Sequence, residues 1–585
     1  MIPTLSETTI RHHTIAQSFE RGQTYYHSGS VYSIVQRGNG LSARVEGSEA
    51  DPYQVNIHFD KGGITTATCT CPYDYEGWCK HIVATLLTCL HQPDHIEQRP
   101  ELAKLLAPLN REQLQTIVQN LANGQPEWIE AQIALLMPSK TTKAQATVRR
   151  TTVDPKPIER QVERILERYT GQWNDEPALD EMRNLMQKAD AFMEQDDGNN
   201  ALLILGVIVR AYVQDWMNLD GSDGESGAFF EELDDALAEA ILSAELSKSD
   251  RQQWQKELEN WEKEVDDYGV DSFAISLAAL EQGWHYPPLQ RVLQGEITEL
   301  GAWEDEAPDF ADDLARIRLR ILERQGRHQE YLYLAQAEGQ TDRYLQMLAK
   351  LGRTEEAISQ AQQQMSTAGE AWTLAQTLRE QGELEQALSI ATQGLSLGGS
   401  HAYQLAVWTS ELAEGMDQDV ALQARLTAFQ LHPSLPDYLK MQALAGDQWR
   451  SLQQELLTTL QGLSDHVHAE AKVAIFLQEG LIDAAISTVD QLSSYQSEVI
   501  HSVMDAAVPH RPEWVIENAR RRAESIMNEG KAQYYYYATN WLRKVHAAYL
   551  QLGQQQEWQR YRKELLQTHA RKRKLVSMLQ QRDLV

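Results

Sequence analysis

Four residues whose types suit metal chemistry lie close together in the first hundred residues. They are Cys69, Cys71, Cys79 and His81, in the pattern Cys-x-Cys-x7-Cys-x-His. Three thiolates and one imidazole are a usual ligand set of a closed tetrahedral zinc site. A catalytic zinc keeps one coordination position open for water, whereas here four protein ligands are available. The pattern therefore predicts one structural Zn²⁺ held by these four side chains.

Two other uses of the same residues explain the pattern less well. A disulfide between two of the cysteines is disfavoured in a reducing compartment. A catalytic pair of a cysteine and His81 is conceivable, but three cysteines around one histidine are better explained by a metal. Cys89 follows His81 within an apolar stretch. We expect Cys89 to be a buried structural thiol.

The spacing of the four residues also indicates which elements position them. Residues two apart on an extended strand point to the same side, so Cys69 and Cys71 can face one ion. Pro72 is expected to end that strand, and Gly77 to help the loop turn back. Cys79 and His81 then enter at the start of a helix, where the helix dipole favours thiolate over thiol.

Cys-x-Cys, a variable gap and Cys-x-His form the signature of the SWIM zinc finger family, which this part of the chain resembles. Further similarity falls at residues 18–25, 29–31, 45–48, 53–55 and 79–84. The resemblance implies zinc ligands at Cys69, Cys71, Cys79 and His81, and it covers about the first 90 residues. Members are regarded as binding DNA or protein, so the resemblance implies zinc and leaves the partner open. The long helical remainder is similar to that of bacterial members.

Residues 1–98 are predicted to form a small α+β unit around this motif. Glycine-containing turns separate short β-rich runs, which favours antiparallel hairpins. The predicted helices span 15–27 and 82–90. The predicted strands span 31–35, 41–45, 53–59 and 64–68.

The rest of the chain is predicted to be helical. Asn110 is expected to cap a helix over 112–121. Three prolines and few large apolar side chains make the segment before 158 typical of a linker. The predicted ranges are a helical extension at 99–137, a linker at 138–157, an acidic helical domain at 158–318, a helical repeat region at 319–510 and basic C-terminal helices at 511–585.

An internal repeat underlies the fourth of these ranges. Segments 348–364, 378–394 and 476–492 align without gaps, and in each a glycine precedes an alanine by five residues. Pairs of helices joined by a glycine turn, at a period of 30–34 residues, are typical of a tetratricopeptide-like α-solenoid. A non-repetitive helical bundle is the alternative. The expected fold class is thus an α+β N-terminal zinc-finger domain followed by a mainly α-helical, tetratricopeptide-like solenoid region.

Charge is distributed unevenly along the chain. The whole chain carries a net charge of -31. Residues 175–313 contain 35 Asp/Glu and 8 Lys/Arg, a net of -27, whereas residues 1–99 contain 10 and 7, a net of -3. Residues 511–585 contain 7 Asp/Glu and 15 Lys/Arg, a net of +8. The acidity argues against a surface that grips nucleic acid or anionic membrane throughout, but it leaves local basic sites open.

The basic C-terminal range has two interpretations. Its arginine and lysine runs at 520–522 and 571–574, with tyrosines at 534–537 between them, could bind phosphate and stack on bases. The alternative, which we favour, is a solvated helix face. Four consecutive tyrosines cannot share one helix face, so at least two are expected to lie in the core.

Neither a membrane span nor a catalytic motif is found in the sequence. The longest apolar run, 201–209, is followed by Arg210, whereas a bilayer helix needs about 20 residues. The first residues lack the pattern of a signal peptide, so a cytoplasmic location is expected. Phosphate-loop, dinucleotide, serine-hydrolase and zinc-protease motifs are missing. We therefore expect a non-enzymatic interaction or scaffold protein with a protein partner and no membrane contact; the alternative is a protein that binds DNA or another nucleic acid.

Overall fold

The structure is a computed structural model of the chain. It describes residues 5–47, 52–73, 77–110, 113, 118, 152–171, 176–219, 225–266, 268, 270, 272–490, 492 and 497–580. Most of the predicted helical extension and linker therefore lies outside the described residues. The chain packs as two compact units, Met1–Leu109 with Ala391–Val585, and Asn110–Ile390. The six predicted domain ranges stay predictions.

Residues 5–109, called the N-terminal region below, contain a five-stranded sheet in the order β4-β3-β2-β1-β5. The pairs β1–β2, β2–β3 and β3–β4 are antiparallel, and β5 adds to β1 in parallel. The predicted strands and hairpins are confirmed. The strands are β1 Val31–Arg37, β2 Gly40–Val45, β3 Tyr53–Asp60, β4 Gly63–Cys69 and β5 Ile96–Gln98.

Four helices accompany this sheet. They are α1 Glu7–His12, α2 Ala16–His27, α3 Lys80–His91 and α4 Leu102–Leu106. Helices α2 and α3 pack against each other, and α3 also contacts β1 to β4. Alternate residues of β3 are buried, among them Val55 and Ile57, and they form a core with Phe19, Val83 and Leu86. The apolar period of two therefore directs one face of the sheet towards α2 and α3.

The described residues of the second unit form helices joined by turns and loops. Asn110 and Gln113 exchange a pair of backbone–side chain hydrogen bonds of 2.9 Å, as expected of a cap, but most of the predicted helix over 112–121 lies outside the described residues. The helices are α5 Lys156–Tyr169, α6 Glu176–Met193, α7 Gly198–Asp215, α8 Glu225–Ser243, α9 Lys248–Asp266, α10 Ala274–Gln282, α11 Pro287–Leu293, α12 Ala311–Arg324, α13 His328–Ala337, α14 Thr341–Lys350, α15 Thr354–Gln364, α16 Ala368–Glu380 and α17 Leu384–Gly394, whose end continues into the first unit.

The C-terminal part of the first unit is helical as well. Its helices are α18 Ala402–Ala413, α19 Gln418–Leu431, α20 Leu435–Ala445, α21 Trp449–Gly462, α22 Asp465–Gln478, α23 Ile482–Asp490, α24 Ser497–Ala507, α25 Pro512–Glu529, α26 Tyr535–Gln551, α27 Gln555–Thr568 and α28 Arg573–Leu579. The described residues after 98 contain no strand, in agreement with the sequence. None of the described helices is long and apolar enough to cross a bilayer.

The alanines and glycines of the repeat occupy the environments that the sequence predicts, in the core and in turns respectively. The three alanines of the repeat are fully buried, namely Ala357, Ala387 and Ala485. The three glycines lie in turns between helices at φ values of +73°, +84° and +69°, namely Gly352, Gly382 and Gly480. A positive φ is accessible to glycine without strain, which explains why glycine stands at each turn.

The prediction for the four tyrosines is wrong. Only Tyr535 is buried, whereas Tyr534, Tyr536 and Tyr537 are 41%, 56% and 53% exposed. Tyr534 ends a 3₁₀ turn before α26. Tyr535 points inwards, and its hydroxyl donates to the carbonyl of Gly530 at 3.1 Å. Tyr536 and Tyr537 lie about 100° and 200° further round α26, away from its buried stripe of Tyr535, Ala538 and Thr539.

Candidate metal centre

The structure brings the four predicted residues together. One potential ligand atom from each of Cys69, Cys71, Cys79 and His81 lies within 4.8 Å of the other three. Nδ1 of His81 is 3.7 Å from Sγ of Cys69 and 4.0 Å from Sγ of Cys79. Cys79 and His81 are buried, and Cys69 and Cys71 are half-buried. The group is thus a compact Cys3His cluster.

Cys69, Cys79 and His81 lie on the elements that the sequence predicts, whereas β4 ends before Cys71, so the expectation that Pro72 ends the strand is wrong. Cys69 is the last residue of β4, and Cys71 follows two residues later. Cys79 is the N-cap of α3, and His81 lies in the first turn of that helix. The strand end and the helix start therefore point their ligand atoms into the same space.

The distances in the cluster fit a tetrahedral zinc ion. Zn–S bonds of about 2.3 Å and Zn–N bonds of about 2.0–2.1 Å at tetrahedral angles place sulfur and nitrogen about 3.6 Å apart. The two distances measured from Nδ1 of His81 are 3.7 and 4.0 Å. Thiolates and an imidazole are also the donor types that zinc prefers. The residues present are therefore consistent with zinc binding.

The pKa values of the three thiols differ because the thiols lie side by side. Hydrogen bonds from Cys69, and then from His81 and the N–H of Ile82, lower the pKa of Cys79 to about 4 although burial opposes this. The hydrogen bond with Cys79 and burial raise the pKa of Cys69, while burial and the charge of Cys79 raise that of Cys71. Adjacent thiolates repel, so ionising all three requires a cation among them.

Aromatic rings hold the imidazole of His81 in place. The ring of Tyr53 stacks on it at 4.4 Å between centroids, and that of Tyr25 meets its edge at 5.4 Å. Its Nε2 is buried and has no hydrogen-bond partner among the described residues. The ring orientation thus rests on packing, and Nδ1 is the nitrogen that faces the sulfurs.

The loop before Cys79 is fastened to the segment after α1. Thr14 and Gly77 form an isolated β-bridge, and the N–H of Trp78 donates to the carbonyl of His13 at 2.8 Å. The hydroxyl of Thr14 donates to the carbonyl of Trp78 at 2.7 Å, and the His13 ring stacks on the Trp78 indole at 4.6 Å. We call these contacts of residues 13–14 with residues 77–78 the loop clasp.

Gly77 is required by the geometry of this clasp. Its φ is +80°, and a Cβ there would lie 2.8 Å from the carbonyl oxygen of His13. The prediction that Gly77 lets the loop turn is confirmed. A larger residue would strain the backbone and push the clasp apart.

His13 also joins the N-terminal region to the C-terminal helices of the same unit. Its Nε2 lies 3.2 Å from Oε2 of Glu411 in α18. Arg425 of α19 lies 3.8 Å from the same carboxylate of Glu411. Arg425 also donates to Asp437 of α20 at 2.8 Å, and the side chains of Arg425 and Asp437 are buried. In addition, a Cβ at Gly62 would lie 2.4 Å from Leu412, which shows how closely the β3–β4 turn approaches α18. Local sequence patterns carry no signal for these contacts.

Cys89 is separate from the cluster. It is buried on α3 among apolar side chains of the core. Burial raises the pKa of its thiol to about 12. The prediction of a buried structural thiol is confirmed, and its high pKa keeps it protonated.

Comparison with known proteins agrees with this geometry. Residues 53–90 match the family model described as SWIM zinc finger. A Drosophila melanogaster protein named "Zinc finger SWIM domain-containing protein 8 homolog" is 33% identical over 115 residues, which are 20% of this chain. The match spans only 5% of the length of that relative. Residues 53–90 of this chain are thus a SWIM zinc finger domain, followed by a mostly helical C-terminal region.

Proposed function

We propose that the protein is a non-enzymatic interaction scaffold whose N-terminal finger is held by one structural Zn²⁺. The ligands in this proposal are Cys69, Cys71, Cys79 and His81. The observation that carries it is the Cys3His cluster, because four protein donors leave no coordination position for a substrate or a reactive water. The zinc would bind the end of β4 to the start of α3 and so stabilise a small core.

The helical part supplies the interaction surface in this proposal. The glycine turns and buried alanines of the repeat support a tetratricopeptide-like solenoid, since small residues let paired helices approach closely. Such an array has a long surface suited to a protein or peptide. The location that we propose for this activity is the cytoplasm.

The contacts of His13 give the finger a place in this scaffold. The loop clasp connects the residues next to Cys79 with His13, and His13 connects to Glu411 on α18. Zinc would therefore stabilise the loop that packs against His13, the residue that contacts α18. Loss of the metal is expected to loosen the finger and the edge of the helical surface together.

Nucleic-acid binding is the second candidate, and one feature of the finger favours it. A surface cavity of about 680 Å³ lies on the sheet face away from α3, and Arg37, Arg44, Asn56 and His58 are among the residues that line it. Such a face offers cations for phosphate and polar groups for bases. Because Arg37 also donates to the carbonyl of Pro100 at 2.7 Å, part of this cationic surface is already engaged.

Metal analysis of the purified protein tests the zinc proposal. We expect about one zinc per chain, and its loss with unfolding of the finger in Cys79→Ala and His81→Ala. Cys89→Ala is the matched control, because it removes a buried thiol of the same helix that lies outside the cluster. Zinc retained at full occupancy in both cluster variants would refute the ligand assignment.

Affinity purification from the native cell with nuclease treatment tests the partner class. The scaffold proposal predicts protein partners that survive the nuclease. Recovery of nucleic acid alone would contradict it. The second candidate predicts gel-shift binding whose affinity falls steeply with salt, and an absence of binding at low salt would remove it.

A further inference from the structure

A groove between α7 and α9 offers an apolar floor in the acidic part of the chain. Its volume is about 880 Å³, and Leu203, Val207, Leu246 and Trp254 are among its lining residues. This volume falls in the range of about 300–1,000 Å³ that is typical of binding pockets. The groove is therefore large enough to take several apolar side chains of a partner.

Glycine at position 206 shapes this floor. A Cβ there would lie 2.4 Å from the Trp254 indole, so the ring of α9 lies directly against the backbone of α7. Leu203, Gly206 and Arg210 share one face of α7, and Asp250, Trp254 and Glu257 share one face of α9, since residues three or four apart align on a helix. These two stripes line the groove.

The rim of the groove is anionic. Three rim carboxylates line it, those of Glu245, Asp250 and Glu257, and Arg210 is the single cation among the lining residues. The fourth lining carboxylate, Asp197, is buried and caps α7. Arg210 already donates to Glu257 at 3.0 Å. Glu245 and Asp250 are exposed and have no ion pair within the described part of the chain. Asp250 accepts a hydrogen bond from the N–H of Ser247 at 3.1 Å at the start of α9, and it keeps its charge on the surface. The rim therefore offers two carboxylates without a cationic partner beside an apolar floor.

We propose that this groove binds a basic amphipathic helix of a partner protein. Its apolar side chains would fill the floor over Leu203 and Trp254, and its lysines or arginines would pair with Glu245 and Asp250. A channel bounded by two helices is complementary in shape to a third, and an anionic rim selects cations and rejects acidic helices. The same charge repels phosphate, which argues against nucleic acid in this groove.

This inference rests on the proposed scaffold function and adds a partner class to it. The groove lies outside the repeat range 319–510, so the two surfaces can be tested separately. If the groove fails its test while affinity purification still recovers protein partners, only this inference is wrong. If both fail, the scaffold proposal is wrong as well.

Peptide binding to the full-length protein tests the inference. The probe is a labelled synthetic peptide of about 18 residues of leucine, lysine and alanine, with leucines at positions i, i+3, i+4 and i+7. Fluorescence anisotropy at low salt is expected to give a dissociation constant in the range of about 1–100 μM. A peptide of the same composition without the helical spacing of leucine should bind at least about tenfold more weakly.

Two groove variants and one matched control locate the site. Glu245→Gln is expected to weaken binding about two- to fivefold, as for one exposed ion pair. Leu203→Lys should weaken it more than about tenfold, because it places a cation on the floor. Glu259→Gln removes the same charge from α9 at a residue that accepts a hydrogen bond from Gln255 and does not line the groove. It should leave binding unchanged.

The result that would overturn the inference is binding that ignores these changes. Equal affinity for the two peptides, or equal effects of Glu245→Gln and Glu259→Gln, would show that the acidic surface attracts any cation. An absence of binding up to about 100 μM peptide would also overturn it. Far-UV circular dichroism checks the fold of Leu203→Lys, and the exposed Glu245→Gln keeps the test decisive if that variant unfolds.

Discussion

Replacing Glu411 by glutamine tests the contact that joins the N-terminal region to α18. The pair of Glu411 and His13 is 3.2 Å apart, with side chains that are 17% and 37% exposed. Burial tends to raise the pKa of Glu411, but the charge and hydrogen bond of His13, together with Arg425, lower it to about 2. The variant keeps the shape of the side chain and removes its charge.

The pKa of Glu411 sets the size of the expected effect. A fall from the ordinary value of 4.5 to about 2 corresponds to about 3 kcal/mol, at about 1.4 kcal/mol per pKa unit. Water screens the half-exposed His13, so we expect a loss of about 1–2 kcal/mol in Glu411→Gln. Hydrogen exchange of the amides of α1 and of residues 77–79 should then be about 5- to 30-fold faster.

The expected pH dependence follows from both partners. Burial lowers the pKa of His13, but Glu411 outweighs it and the pKa is raised above 6.5. The contribution of His13 is therefore complete below about pH 6.5 and is lost as the pH rises through its folded pKa. That of Glu411 is complete above about pH 4.5 and is lost as the pH falls towards about 2. Arg425 also faces the pair and adds positive charge, whereas burial lowers the pKa of the neighbouring His12.

Glu7→Gln is the matched control for Glu411→Gln. Glu7 pairs with His91 at 3.1 Å within the N-terminal region, where both side chains are at least 40% exposed. Loss of this exposed ion pair should lower the free energy of unfolding by less than about 1 kcal/mol. After correction for intrinsic exchange rates, protection of α1 in the natural protein should decrease between pH 6 and pH 8.5, and Glu411→Gln should show no such decrease. Equal exchange rates of the α1 amides in Glu411→Gln and Glu7→Gln would refute the reasoning.

Three further predictions concern single residues of the described structure. Gly77→Ala should destabilise the finger by about 1–3 kcal/mol more than Gly29→Ala in thermal unfolding. Both glycines have a positive φ, but only Gly77 is crowded by His13. Equal losses of stability in the two variants would contradict the role of the loop clasp. Asp234 accepts hydrogen bonds from the N–H groups of residues 275 and 276, and burial raises its pKa to about 6. The contribution of Asp234 to the free energy of unfolding should therefore fall by about 1–3 kcal/mol from pH 4 to pH 7. Asp234→Asn should abolish that fall in chemical denaturation, and an unchanged pH slope would count against it. Cys89 should resist alkylation at pH 7.5 until the protein is denatured, and rapid labelling of the native thiol would contradict its burial.

The local features of the finger could be predicted because their signals are local. Alternation of apolar residues predicts β2, β3 and β4, and the spacing of Cys69, Cys71, Cys79 and His81 indicates a cluster before any coordinates are known. Within such short spans the geometry of a strand and of a helix start fixes where side chains point. Sequence and structure therefore agree on which four side chains lie together.

The long-range features could not be predicted in the same way. The parallel pairing of β5 with β1 involves three residues without an alternating pattern. The contact of His13 with Glu411 joins residues far apart in the chain, and no periodicity links them. The tyrosine prediction failed because the buried stripe of α26 includes Tyr535 but neither Tyr536 nor Tyr537.

The distance along the chain between His13 and Glu411 has a consequence for biosynthesis. The two residues are 398 positions apart. At a translation rate of about 5–20 residues per second, Glu411 leaves the ribosome about 20–80 s after His13. During that time the nascent N-terminal region must stay folded without the C-terminal helices that later pack against α1. The four proposed ligands all lie within thirteen residues. A zinc ion bound early would therefore keep the finger folded, and protected from proteolysis, until α18 has been synthesised.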